Sequence, residues 1–139
     1  MQKRYAVLLV LTIIACSCFT QGTSAATVYH GGGNGTHYQV TIGQRSASFL
    51  RIGPHDAGAT IHGARLVSRH GATAIYATPI PKRYWRAVGG RECRIDVEMG
   101  DHGTAITGIR ASSECIFYHG ATLGFGLYGG EVLHKTTAR

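Results

Sequence analysis

The residues best suited to chemistry in this chain are eight histidines: His30, His37, His55, His62, His70, His102, His119 and His134. Imidazole can ligate a metal or move a proton near neutral pH, but both tasks need converging partners. A strand would offer a metal two ligands as His-x-His and a helix as His-x-x-x-His. Neither spacing occurs, and the closest pairs stand seven or eight residues apart. The expectation is scattered surface histidines, with no metal and no cofactor. The seven acidic residues, Asp56, Glu92, Asp96, Glu98, Asp101, Glu114 and Glu131, are equally dispersed. Asp96 and Glu98 share the polar face of one expected strand with Arg94, and Arg110 on the returning strand is their expected partner. Serine elbows, phosphate-binding loops, zincin helices and catalytic-cysteine patterns are all missing. The chain therefore reads as no enzyme, with no catalytic residue. A small hydrolase using His119 or His55 is the alternative.

The densest group of interface-type side chains is Lys82-Arg83-Tyr84-Trp85-Arg86. Tryptophan, tyrosine and arginine are the types that dominate the energetic centres of protein interfaces. Pro79 and Pro81 lack ladder donors, so the group belongs to a loop or the start of a strand, with one helical turn near 81–85 as a variant. Arg83, Tyr84, Trp85 and Arg86, with Tyr118 and His119 further along, are the candidate partner-binding residues. The plainer reading is that Trp85 plugs one end of the fold while arginine stems lie across it.

Residues 1–26 read as an export signal. Lys3 and Arg4 form a positive start, and 6–14 is an apolar run broken only by Thr12, too short to span a bilayer as a mature helix. Ser24-Ala25-Ala26 fits a small-x-small cleavage site and leaves 27–139 as a single domain. A second reading takes Ile13-Ile14-Ala15-Cys16 as a bacterial lipobox, so that Cys16 carries lipid and the protein is an outer-membrane lipoprotein rather than secreted or periplasmic. No other stretch is long and apolar enough for a transmembrane helix. Cleavage removes Lys3 and Arg4 from the 14 basic residues, leaving 12 against seven acids and a net charge of +5. All but Lys82 and Lys135 are arginines, good donors to carboxylate or phosphate. They are scattered, and no nucleic-acid motif is present. The expected partner is an anionic protein or cell-wall polymer, not a nucleic acid. Asn34-Gly35-Thr36 is a glycosylation sequon, which matters only in a eukaryotic secretory pathway.

Two of the four cysteines, Cys16 and Cys18, lie in the leader. Cys93 and Cys115 remain, and an exported chain would join them as a disulfide. Around them the pattern is β nearly throughout. Short runs rich in Val, Ile, Thr, Tyr and Phe alternate with glycine-containing turns. Strands are expected at 27–30, 37–42, 46–52, 59–68 and 73–78, then at 93–99, 104–110, 115–119, 123–128 and 131–134. In the third, Phe49 and Arg51 face opposite to Leu50 and Ile52. In the fourth, Ile61, Gly63, Arg65 and Val67 share a face. Residues 53–58 form a turn, and 100–103 a hairpin turn. The spacing of Ile106 and Ile109 suggests a bulge near Gly108. About eight to ten short strands joined as hairpins give an all-β fold, a small antiparallel barrel or curved sandwich. A barrel this small is filled by its own side chains and leaves little room for a large ligand.

The run Cys-Arg-Ile-Asp-Val-Glu-Met-Gly from Cys93, then Glu-Cys-Ile-Phe-Tyr-His-Gly-Ala from Glu114, then the tail ending Leu-Tyr-Gly-Gly at Gly130 resembles the C-terminal half of small exported bacterial β-barrel proteins. Among these are periplasmic lysozyme inhibitors and envelope immunity proteins. The resemblance implies a protein that binds and blocks a wall-degrading enzyme through loops at one end of a barrel. A cationic chain would be repelled by cationic lysozymes, so an acidic hydrolase or toxin suits it better.

Overall fold

Strict alternation places Cys93, Ile95 and Val97 on one side of a strand and Arg94, Asp96 and Glu98 on the other. In the folded chain the first three are fully buried. The computed structural model describes residues 24–33, 35–53, 58–120, 124–127 and 130–137. Residues 1–23 of the leader with Cys16, Asn34 of the sequon, 54–57 of the expected turn with His55, and Leu123 and Tyr128 of the expected 123–128 strand lie outside the described residues.

Eight strands are present: β1 (Thr27–Gly31), β2 (His37–Ile42), β3 (Ser46–Ile52), β4 (Gly58–His70), β5 (Thr73–Pro79), β6 (Glu92–Gly100), β7 (Ala105–Ala111) and β8 (Leu133–Lys135). Each pairs antiparallel with the next, and β8 also pairs with β1, so the sheet closes into a barrel. Closure through the three residues of β8 covers part of the edges of β1 and β7 that an open sheet would expose. The barrel alternative is thus the one adopted, rather than the sandwich. Its interior is filled by Tyr38, Phe49, Ile61, Tyr76, Ile95, Ile106 and Leu133. Phe49 and Tyr76 meet edge to face with centroids 6.0 Å apart. Asp96 stands opposite Arg110 across β6 and β7, as the pattern predicts, and a register shift beside Gly108 supplies the expected bulge.

Three elements differ from the sequence-based expectation. In β4 the run of one-sided residues breaks at Gly63, where φ is +63°. His62 and Gly63 together oppose Ser48, and the Gly63 N–H donates to the Ser48 hydroxyl at 3.0 Å. The bulge turns Ala64 inward and leaves Arg65 outside, reversing the face expected for Arg65 and Val67. Residues 115–119 are helical rather than a strand. A 3-10 turn at Ser113–Cys115 leads into a single α-turn, α2 (Ile116–His119), started by Cys115 N–H donating to Ser112 O at 3.0 Å. Five apolar residues do not by themselves separate the two states, and tertiary context decides. Residues 124–127 of the expected 123–128 strand form no strand. Leu127 N–H reaches Ile109 O at 3.2 Å, and Phe125 is driven into the core.

Because the strands run up and down, the connections after β1, β3, β5 and β7 collect at one end and the tight turns at the other. At the first end Phe125 is fully buried as a plug, and the Tyr38 hydroxyl donates to its carbonyl. The inward face of β3 carries Arg51 into this plug, where its Nη1 donates to Gly126 O at 2.7 Å and meets Glu131 Oε2 at 3.2 Å. The guanidinium lies 5.3 Å from the Tyr38 ring centroid.

At the turn end, Tyr29 and Tyr76 are the innermost polar groups. The Tyr29 hydroxyl donates to Gly103 O at 2.8 Å. Burial holds both phenols above the usual value of 10.0, the neighbouring Tyr76 adding to the effect on Tyr29 while Arg69 opposes it on both. The folded chain thus keeps protons that the unfolded chain releases near pH 10.0, so this contribution to stability is intact below that pH and falls away above it. An ultraviolet titration of the native protein is expected to show two phenols ionising in a separate, later step that coincides with alkaline unfolding. A single step with all tyrosines together would contradict this packing.

Candidate binding face

The β5–β6 connection is pinched at its neck, with Ile80 N–H donating to Arg91 O at 2.9 Å. Between these residues the chain forms a 3-10 turn at Lys82–Tyr84 and a short α1 (Trp85–Val88). The single helical turn anticipated near 81–85 is therefore real and runs on to Val88. Gly89 ends it in the left-handed region at φ +81°, its N–H donating to Trp85 O at 2.9 Å. Trp85 does not point outward. Its indole N–H donates to Ile80 O at 2.7 Å, its ring packs on the core, and Arg91 lies 4.9 Å over the ring centroid. Trp85 is thus an anchor with Arg91 across it, while Phe125 rather than Trp85 fills that end of the barrel.

The neighbouring residues form the outer face. Lys82, Arg83, Tyr84 and Arg86 are exposed. The Arg83 guanidinium sits 5.0 Å from the Tyr84 ring centroid, and Tyr84 stacks at a tilt on Phe117 of α2, 4.9 Å away. Phe117 meets Tyr118 edge to face at 4.9 Å. Ile116, which is 42% exposed, extends the apolar part of the face. Sequence pattern missed Phe117 and Ile116 because residues 115–119 read as a strand rather than as a turn presenting them beside Tyr84.

Two ties, one covalent and one polar, hold α2 against β5 and β6. Cys93 at the start of β6 is disulfide-bonded to Cys115, with Cα atoms 4.5 Å apart. Tyr118 turns its hydroxyl inward, donating to Pro79 O at 2.6 Å and lying 3.3 Å from Thr78 Oγ1. The Ser112 hydroxyl and the Glu114 backbone hold the Glu114 carboxyl below its usual range. Six sequence-selected residues thus divide by role. Arg83, Tyr84 and Arg86 form the face, Trp85 and Tyr118 support it, and His119 sits behind it, edge-on to Phe125 at 5.5 Å.

His119 Nδ1 is buried without a hydrogen-bond partner. The structure also brings together histidines that spacing kept apart. His30 and His37 have ring centroids 5.6 Å apart on the outer wall, and His30 stands opposite His134 of β8. Among the described residues, no three His, Cys, Asp or Glu side chains converge to hold a metal ion. Compared with known proteins, the chain matches no protein-family model, no curated protein and no solved structure.

Proposed function

We propose that the chain is an exported, non-enzymatic binding protein, an inhibitor or immunity factor that docks on an acidic peptidoglycan hydrolase or toxin through the Arg83–Tyr84–Arg86 face. The observation that carries this reading is the pre-assembly of that face. Tyr84 is held between the Arg83 guanidinium and the Phe117 ring, and the α2 turn that carries Phe117 is tied to β6 by the Cys93–Cys115 bond. A face ordered before encounter loses little conformational entropy on binding, and tyrosine flanked by arginines is the composition of an interface centre. The net charge of +5 after leader removal favours an acidic partner and speeds encounter with it. Export is supported by the charged and apolar leader together with a disulfide. Among the described residues, no helix is long and apolar enough to cross a membrane.

The test is titration of the purified protein into acidic muralytic enzymes secreted by the same organism. Activity is expected to stop at one equivalent, with affinity weakening as salt rises. Tyr84→Ala is expected to weaken binding about thirtyfold, the effect of losing roughly 2 kcal/mol at an interface centre. Stability should change by less than about 0.5 kcal/mol, because Tyr84 lies at the surface. Unchanged inhibition by an Arg83→Ala/Tyr84→Ala/Arg86→Ala variant would defeat the assignment. A wall polymer is the second reading, favoured by the exposed Tyr84 ring as a stacking surface. Sedimentation with purified peptidoglycan, lost on Tyr84→Ala, distinguishes it.

A further inference from the structure

We propose that the turn end of the barrel is a binding site for a small organic monocarboxylate with an apolar body, such as an aromatic or medium-chain acid. A cavity of about 490 Å³ opens there, at the opposite end from the Tyr84 face and independent of it. That volume falls in the usual range for small-molecule sites. Ile42, Ala74 and Met99 give it apolar walls. Tyr29 and Tyr76 also line it, and the Tyr76 hydroxyl is fully buried with no hydrogen-bond partner. A buried hydroxyl without a partner is costly and uncommon, so the cavity is a site with one donor unused. The Tyr29 hydroxyl is already committed to Gly103 O, which leaves Tyr76 as the free phenol donor of the pair.

Arg69 lies at the exposed mouth and acts electrostatically on both phenols, although its approach to Tyr76 falls short of a well-formed hydrogen bond. A planar guanidinium at the mouth and a phenol O–H deeper in are complementary to one carboxylate. Among the described residues, the other ionisable side chains lining it are Asp101 and His102, in the β6–β7 turn, and Thr27, the expected N-terminus after leader cleavage, also lines it. Both have positive φ, +47° and +53°, and the Thr104 hydroxyl and N–H lock the turn onto Asp101 O at 2.8 and 3.1 Å. The Asp101 carboxylate makes a doubly charged anion unfavourable, so a monocarboxylate is selected over phosphate.

Calorimetric titration of the purified protein with benzoate and octanoate tests this, with the Met99 methyl resonance as a local reporter. The expected result is binding at one equivalent with a shifted Met99 methyl, and about tenfold weaker binding of benzamide and octanamide, as for loss of one charge-assisted hydrogen bond. Tyr76→Phe and Arg69→Gln are each expected to weaken the acids about tenfold. Tyr76→Phe should leave the thermal midpoint of the free protein unchanged or raised, because the hydroxyl it removes has no partner. Three results would overturn the proposal: no Met99 shift with either acid, amides binding as well as acids, or variants binding like the parent. Inorganic phosphate displacing octanoate at equal concentration would also overturn it.

Discussion

Glu131→Gln is expected to destabilise the fold by about 3 kcal/mol, the cost of leaving one member of a buried ion pair without its countercharge. Arg51 reaches the plug from the inner face of β3, and its side chain and that of Glu131 are only 6% and 14% exposed. Their 3.2 Å contact joins the third strand to the segment just before β8, and Arg51 also binds Gly126 O at 2.7 Å. One guanidinium therefore ties β3 to two points, Gly126 and Glu131, of the segment that precedes β8. With the carboxylate neutralised, the guanidinium keeps its burial and loses its countercharge. Removing both charges together, as Arg51→Met with Glu131→Gln, is expected to cost less than Glu131→Gln alone, since no unpaired charge then remains inside. Urea unfolding of the two variants measures the difference. A double variant weaker than the single one would show that the Arg51–Gly126 bond, rather than the ion pair, holds the plug.

Cys93→Ser with Cys115→Ser is expected to lower stability by about 3 kcal/mol, from the chain entropy released when a loop of this length is opened. The bridge spans a sequence separation of 22, from the start of strand β6 to the 3-10 turn that precedes α2. Its loss should be felt unevenly. The strands β2 to β6 keep their ladders and their buried core, so β-sheet circular dichroism should persist at moderate temperature. Amide exchange should rise in α2, whose remaining ties are the Tyr118 hydrogen bond and the Phe117 stack. Partner binding should then fall more steeply than stability, because Phe117 no longer backs Tyr84. Unchanged exchange at 116–119 would show that the ring contacts hold α2 without the bond.

The candidate face was half legible. Lys82-Arg83-Tyr84-Trp85-Arg86 announces itself by composition within five consecutive residues. Trp85 allows two readings, a binding residue or a buried support, and composition by itself does not separate them. Phe117 was not readable as part of the face. Its run, Cys-Ile-Phe-Tyr-His, has the same β-forming composition as a strand, and only contact with Tyr84 and the tie to Cys93 show it as a helical turn. The histidine pair on the outer wall was hidden for a similar reason. His30 and His37 are seven residues apart, a distance that carries no meaning until β1 and β2 fold back on each other.

By itself the sequence determined the all-β class, the hairpin order, the β6–β7 unit with its bulge, and the alternation of β3 that sets Phe49 and Arg51 opposite Leu50 and Ile52. These follow from alternation and turn chemistry, which act within a few residues and need no knowledge of the rest of the chain. Only the tertiary structure decided that the sheet closes through three residues of β8, that Gly63 reverses the faces of β4, that Arg51 finds Glu131, and that Tyr76 ends in a cavity with its hydroxyl unmatched. Each of these depends on a partner many residues away, whose position is set by barrel closure and packing rather than by local preference.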